Sequence, residues 1–324
     1  MKEFTTMVEY AIKAPSGHNT QPWKFKIADE AIEVYPDFSR SLPVADNDHR
    51  ALYISVGAAT ENLCIAAHEL GYESYVSILT DDEGKYYVHI DLQVVEKLYT
   101  DPLFMQIPKR QTNRKVYTGW HLADDTIEVL KRVSLENDVH TYFYKNGEEE
   151  FNQLREFVYR GNEILMNNND FKDELIKWSR LKKKQVVVNR DGLTYAAMDS
   201  LSVPEWIRKP ILKLQLNTKT QNKLDQKKID SSSHLVLFTT SNNTPEGWIA
   251  MGRSLERFLL ETTLLGVADA FLNQPCKINV LAEEMRTKLD INGEYPTLLM
   301  RIGHASPMPY SPRKEINEVT IMQN

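Results

Sequence analysis

"ISVGAATENLCIAAHELGY" (54–72) and "IAMGRSLERFLLETTLLGV" (249–267) align without a gap. Ile54 matches Ile249, Gly57 matches Gly252, Glu61 matches Glu256, Leu70 matches Leu265 and Gly71 matches Gly266, each pair 195 residues apart. Both stretches are long and apolar, and both close on glycine, the residue best suited to end a helix. The alignment reads as an internal duplication, and a repeat of that size decides the whole fold; the bland alternative is a five-position coincidence. A glycine near the start of a long apolar helix has one evident use, which is to let another backbone approach closely.

Outward from these two stretches the grammar partly repeats. Phe4, Met7, Val8 and Ala11 fall at helical spacing, and the helix should stop near Ala14, because a residue before proline avoids the α region. "WKFKI" (23–27) and "AIEVY" (31–35) alternate around Asp29-Glu30 and predict a hairpin. "ESYVSIL" and "YYVHIDL" flank "TDDEGK" and predict another. The stretch 99–110, with Pro102 and Pro108, reads as a linker. Beyond it, 121–133 is helical, 139–145, 233–241 and 296–305 are strands, and 246–266 is the second long helix. The region from about 160 to 232 has no counterpart in the first half; it is polar, mostly helical or loop, and reads as an insertion of the kind that becomes a lid.

Composition narrows the classes. The chain has 324 residues, 42% of them hydrophobic, enough for a full globular core. Its net charge is −6, and no run of like charge exceeds three residues, which argues against nucleic acid or an anionic membrane as partner. Cys64 and Cys276 sit in apolar stretches and suggest no disulfide framework, as expected in a reducing cytoplasm. The first residues hold no apolar core of signal-peptide length, and no uncharged run approaches the roughly 20 residues that span a bilayer. Dinucleotide G-x-G-x-x-G, P-loop, H-E-x-x-H and G-x-S-x-G motifs are all missing, and no cysteine pair has metal spacing.

Two polar constellations remain. The first is "APSGHNTQPWK" (14–24), where Pro15, Ser16, Gly17, Asn19 and Gln21 gather between a helix and a strand. Ser16, Asn19 and Gln21 supply mixed donors and acceptors, and Gly17 allows a close backbone approach. Such a set suits the acceptor-donor-acceptor edge of a flat heterocycle; an ordinary turn uses the same residues. Trp23 is assigned to packing, and His18 either points at the site or lies on the surface. The second is "KRQTNRKVY" (109–117), in which a helical turn would set Arg110 and Arg114 on one side, with Thr112 and Asn113 as extra donors. Paired guanidinium groups suit phosphate oxygens, with Arg313 and Lys314 of "SPRKEI" as a third contact; the plain reading is a basic surface turn.

With these residues in view the chain resembles the FMN-dependent nitroreductase family, and within it the twin-domain branch of Acg-like proteins. "APSGHNTQPW" is similar to the family's P-S-x-x-N-x-Q-P-W loop, "RQTNR" to its R-R-S-x-R phosphate segment, the two repeated stretches to its long central helix, and "LGVADAFLNQP", "LLMRIGHA" and "SPRKEI" to its C-terminal third. The resemblance covers most of the chain outside 160–232. It implies an α+β nitroreductase-like fold of two pseudo-repeated halves, each a mainly antiparallel sheet flanked by helices, with a helical lid-like insertion. The first half is 1–108, truncated at its N-terminus; the second is 109–324, with the insertion inside it.

The family builds its FMN site across a homodimer interface, with phosphate contacts from one subunit and the P-S-x-x-N loop from the other. Here the motifs are divided between the halves, which implies one composite FMN site per chain and a vestigial second one. Pro15, Ser16, Gly17 and Asn19 would form one wall, and Arg110, Thr112, Arg114 and Arg313 would hold the phosphate end. Asn273 and Gln274 would lie against the ring. The family's Glu-Gly pair at that last position is Gln274-Pro275 in this chain. The function so implied is an FMN-binding, NAD(P)H-dependent reductase of nitro or quinone-type small molecules, with no side chain acting as acid or base. Two rival readings are an FMN-binding or FMN-sequestering protein with little turnover, and a scaffold that binds no flavin. The assembly is a monomer with pseudo-dimeric halves or a homodimer.

Overall fold

The computed structural model describes residues 2–96, 100–198, 216–291 and 293–321. Two sheets enclose a pair of long helices. The first sheet has the order β11-β1-β2-β4-β3, with β1 at Trp23–Ile27, β2 at Ala31–Pro36, β3 at Tyr72–Thr80, β4 at Tyr86–Val94 and β11 at Thr320–Ile321. The two expected hairpins are both present, with Phe25 opposite Val34 and Val76 opposite Ile90. Its one parallel pair brings the end of the chain back to its beginning, with Thr320 beside Phe25. The second sheet has the order β5-β8-β10-β9, all antiparallel, with β5 at Val139–Lys145, β8 at His234–Thr240, β9 at Ala268–Phe271 and β10 at Tyr295–Gly303. The α+β class expected from the sequence is the class observed.

The duplicated stretches form the first central helix, Arg50–Glu69, and the second, Pro245–Leu264. Each has a deliberate start. The Asp46 carboxylate accepts from Ala51 N at 2.7 Å and Leu52 N at 2.9 Å, satisfying donors that a helix N-terminus otherwise leaves open. Thr244 caps the second helix by accepting from Gly247 N, and Pro245 fills its first position. The helices cross at the matched glycines. A Cβ on Gly57 would collide with the Ile249 carbonyl, and one on Gly252 with the Ile54 carbonyl, so the residues aligned in sequence meet reciprocally in space. Glycine is required here because no side chain fits between the backbones. Phe25, Ile32 and Ile90 from the first sheet join Phe238, Met300 and Ile302 from the second in one apolar cluster with both helices.

Several local expectations change. The first helix runs Lys2–Ala11 and gives way to turns before Pro15. The 99–110 stretch is packed: Leu103 and Ile107 are buried against Ile65 and Leu260, one from each central helix. The 109–117 segment is not helical, because Thr112 bridges Asp269 beside β9 and Asn113 N donates to Asp269 O at 2.7 Å. Pairing with a strand edge outcompetes the helical turn. Trp23 is buried, as expected.

Within the insertion, the 19-residue helix Glu149–Asn167 begins before residue 160 and is followed by helices Asn169–Lys177, Lys183–Asn189 and Thr218–Asp230. Two short strands, β6 at Ser179–Arg180 and β7 at Leu193–Thr194, pair in parallel. "SLSVPEW" (200–206) lies outside the described residues. Met166, Phe171, Trp178 and Leu216 of the insertion pack on Leu42 and Ala45 of the first half. No helix among the described residues is long and apolar enough to cross a membrane.

Candidate functional site

The loop after the first helix is bent hard. His18, Asn19 and Gln21 all take left-handed backbone angles, with φ of 47°, 54° and 54°. Each such position costs a side-chain-bearing residue about 1 kcal/mol or more, so it persists only where surrounding contacts impose it. Ser16 Oγ accepts from Gln21 N at 2.9 Å, Gln21 Oε1 accepts from Lys314 N at 2.8 Å, and Gln21 Nε2 donates to Arg190 O at 2.8 Å. The loop is thereby tied at once to itself, to the chain's C-terminal arm and to the insertion. Arg40 reinforces the last contact, donating to Thr20 O and pairing with Asp191 at 2.6 Å, while Arg180 holds the other Asp191 oxygen.

Behind this loop, Arg110 and Arg313 converge on one carbonyl. Arg110 Nη2 donates to Lys13 O at 3.3 Å; Arg313 Nη2 donates to Lys13 O at 2.9 Å and Ala14 O at 3.0 Å. Arg110 Nε also lies 3.4 Å from Glu256 Oε1, with both side chains almost fully buried. Two cations so close to each other in a dry setting are unfavourable. Burial, followed by the charge of Arg110, pulls Arg313 down to about 9. Arg110 Nη1 and Arg313 Nε are buried and have no hydrogen-bond partner among the described residues. Burial pushes the Glu256 carboxyl up to about 7 against the pull of Arg110 and Asn62, and burial likewise lifts Asp269 to about 7.

Three adjoining cavities meet at Phe271. The largest, about 310 Å³, reaches from His18, Thr112 and Arg114 to Asn273, Gln274 and the insertion. A mainly apolar slot of about 130 Å³ runs along Pro15, Ser16, Gly17, Ile54 and Leu255, with Asn273 at its end. The smallest, about 70 Å³, lies between Ser16, Asn19, Arg110, Thr112, Arg114 and Arg313. The ten residues assigned to the FMN site in the sequence each line one or more of these cavities and come from both ends of the chain, whereas Gln21, Asn113 and Lys314, also named there, line none of the three.

Their roles differ in detail from a simple reading. The Asn19 amide is engaged within the protein, accepting from Arg313 Nη1 at 3.2 Å and donating to Pro312 O at 3.1 Å. The space of a Cβ at Gly17 faces Leu42 and Ala51, so this glycine relieves packing. Asn273 Oδ1 accepts from Leu299 N at 3.0 Å, and Gln274 Nε2 donates to Asp225 at 3.2 Å. Arg110 and Arg114 share the site through an extended segment and not through a helical turn. His18 lines the large cavity and is not on the surface. Phe271 and Lys277 had no recognisable signal. Glu256 did: it is the partner of Glu61 in the repeat.

No family model matches the chain. Over 323 residues it is 23% identical to the Mycobacterium tuberculosis protein named Putative NAD(P)H nitroreductase Rv3131, an alignment covering 97% of this chain and 90% of that one. Over 327 residues it is 22% identical to Putative NAD(P)H nitroreductase acg of the same organism, covering 96% and 93%. A solved FMN and NADPH-dependent nitroreductase, NfnB from "sphigopyxis sp. strain HMH", superposes with a TM-score of 0.44 at 14% identity, covering 69% of this chain and all of that one. The alignments with the two mycobacterial proteins run nearly end to end, so the chain is similar over almost its whole length to proteins named as NAD(P)H nitroreductases, acg among them.

Proposed function

We propose that the protein is an FMN-binding, NAD(P)H-dependent nitroreductase-like flavoprotein acting on nitro or quinone-type small molecules. The observation that carries this reading is the cluster of Arg110, Arg114 and Arg313, which line one small cavity together with Thr112 and Ser16. A phosphate suits such a cluster, because charge-assisted N–H donors and nearby cationic charge favour its oxygens. The residues present fit FMN: Arg110, Thr112, Arg114 and Arg313 would hold the phosphate end, Pro15, Ser16, Gly17 and Asn19 the adjoining wall, and Asn273 and Gln274 the ring. Ser16 keeps its hydroxyl proton for donation, since Oγ acts as acceptor within the loop. When bound, FMN would supply the hydride and electron chemistry, which side chains lack. The chain's own part is to position that group, to screen it from water and to shape access.

Within this reading the chain divides at 108/109 into two nitroreductase-like halves whose central helices replace a dimer interface. The assembly is a monomer or a homodimer, and the compartment is the cytoplasm, in keeping with two free cysteines. The test is the absorbance spectrum of the purified protein, followed by anaerobic addition of NADPH or NADH. A flavin spectrum that bleaches within minutes supports a reductase. Protein that stays colourless and takes up no added FMN sinks the flavin reading.

One observation favours a second reading, an FMN-binding protein with little turnover. The Gln274-Pro275 loop is pressed against the insertion: a Cβ on Gly161 would come 2.8 Å from Gln274 Cβ, and Gln274 is hydrogen-bonded to Asp225. A ring contacted by this loop would be roofed by the helix Glu149–Asn167. A flavin spectrum that neither nucleotide bleaches supports this reading over the first.

A further inference from the structure

The phosphate cradle leaves one charged feature of the site without a role. Arg110 and Arg313 line the smallest cavity, whereas Lys277 lines the two larger ones. Two other cations of the large chamber, Arg301 and Lys228, are engaged, and Arg114 also borders the phosphate end. Arg301 donates to the carbonyls of Asn113, Lys115 and Lys228 and stacks on Tyr117 at 3.8 Å, and Lys228 lies 4.0 Å from Asp225. Lys277 is different: among the described residues its ammonium makes no hydrogen bond and no ion pair.

The carboxylates nearest in charge to Lys277 are committed elsewhere, Asp46 to Ala51 N and Leu52 N, and Glu174 to Val44 N and Ala45 N. Burial, with Lys277 and then Arg114 adding to it, keeps the His18 imidazole neutral, down to about 3. Lys277 itself feels the carboxylates of Asp46, Glu174 and Asp48, but among the described residues the chamber lining as a whole carries four cations, Arg114, Lys228, Lys277 and Arg301, against the single carboxylate of Asp225, a balance that favours an anion. Leu165, Phe171 and Phe271 give the same lining an apolar part, beside the polar Gln221, Asp225, Asn273 and Gln274.

We infer that the large chamber is an acceptor site selective for an aromatic carboxylate, with Lys277 holding the carboxylate and Phe171 and Phe271 flanking the ring. This inference rests on the flavoprotein reading for the word acceptor, and on the chamber alone for the ligand class. The test titrates 4-nitrobenzoate and its uncharged analogue 4-nitrobenzamide into the purified full-length protein by calorimetry. The expected result is at least tenfold tighter binding of the nitrobenzoate. Lys277→Met abolishes that preference, Lys277→Arg retains it, and Arg110→Ala retains it.

Equal affinity for the two probes overturns the inference. So does a preference lost in Arg110→Ala and kept in Lys277→Met, which would put the anion in the phosphate cradle. Circular dichroism checks that each variant is folded, and Lys277→Arg guards against a merely structural effect of losing the lysine. Flavin absorbance on the same samples separates the two proposals. Yellow protein without a preference sinks the anion site alone. Colourless protein that prefers nitrobenzoate through Lys277 sinks the flavin reading and upholds the anion site.

Discussion

Glu61 and Glu256 stand at the same position of the two central helices and meet opposite surroundings. Glu61 receives Arg253 Nε at 3.1 Å and Arg257 Nε at 2.9 Å, both from the facing helix. Those arginines keep part of their side chains in water, and the ion pairs bolt one half to the other. Glu256 is fully buried and faces Arg110, which arrives from a loop and also borders the cavity. Of two glutamates at matching positions, one is a fastening and the other lies beneath the cavities. A charge whose partners are fully engaged stabilises; a charge beside unpartnered donors is poised for something else.

The sharpest way to break the comparison is at the crossing that relates the two copies. Gly57→Val and Gly252→Val each force a side chain into an opposing carbonyl, and each should cost about 3 kcal/mol or more of stability by overpacking. Chemical denaturation measures this. A large loss at one glycine and none at the other would show that the helices are not equivalent.

Glu61→Gln should cost about 2 kcal/mol, below the usual 3–5 kcal/mol for removing one partner of a buried pair, because Arg253 and Arg257 can turn to solvent. FMN binding should be unchanged in that variant. Arg110→Ala should do the reverse. It removes a charge-assisted contact of about 1.5–3 kcal/mol, or roughly 10- to 150-fold in Kd, read by titrating FMN fluorescence. Unchanged FMN affinity would refute the placement of the phosphate.

The smallest effect is in pH. The Glu256 carboxyl rises from an ordinary 4.5 to about 7 on folding, and that of Asp269 from 3.8 to about 7. The folded chain then holds protons that the unfolded chain has released. Their stabilising share is complete below about pH 4 and is lost as pH rises through 7. The melting temperature should carry a falling component between pH 5 and pH 8, and Glu256→Gln should flatten part of it. A slope identical to that of the parent protein would show that Glu256 does not titrate in this window.

Much of the architecture was legible because it rests on local chemistry. Alternation gave both hairpins of the first sheet, and the glycines common to both long helices marked the crossing. Of the ten residues expected at the FMN site, seven came from the two polar segments, Arg313 from "SPRKEI", and Asn273 and Gln274 from the family resemblance, and each lines one or more of the three adjoining cavities. The turn expected around Arg110 and Arg114 was misread because four-residue spacing describes a helix only when no strand edge competes, and Asp269 provides one. Lys277 left no signal at all, since a lone lysine after Pro275-Cys276 is ordinary in sequence and unusual only when its surroundings are known.

By itself the sequence determined the two matched helix stretches, the α+β class and the two polar segments, because periodicity, glycine placement and donor-rich loops are properties of neighbouring residues. The tertiary structure decided which side chains are engaged and which are left over. Asn19 and Asn273 became internal braces, and among the described residues Arg110 and Arg313 keep unpartnered N–H groups and Lys277 makes no hydrogen bond or ion pair. Hydrogen-bond satisfaction and desolvation depend on groups brought together from hundreds of residues apart, and no local pattern encodes them.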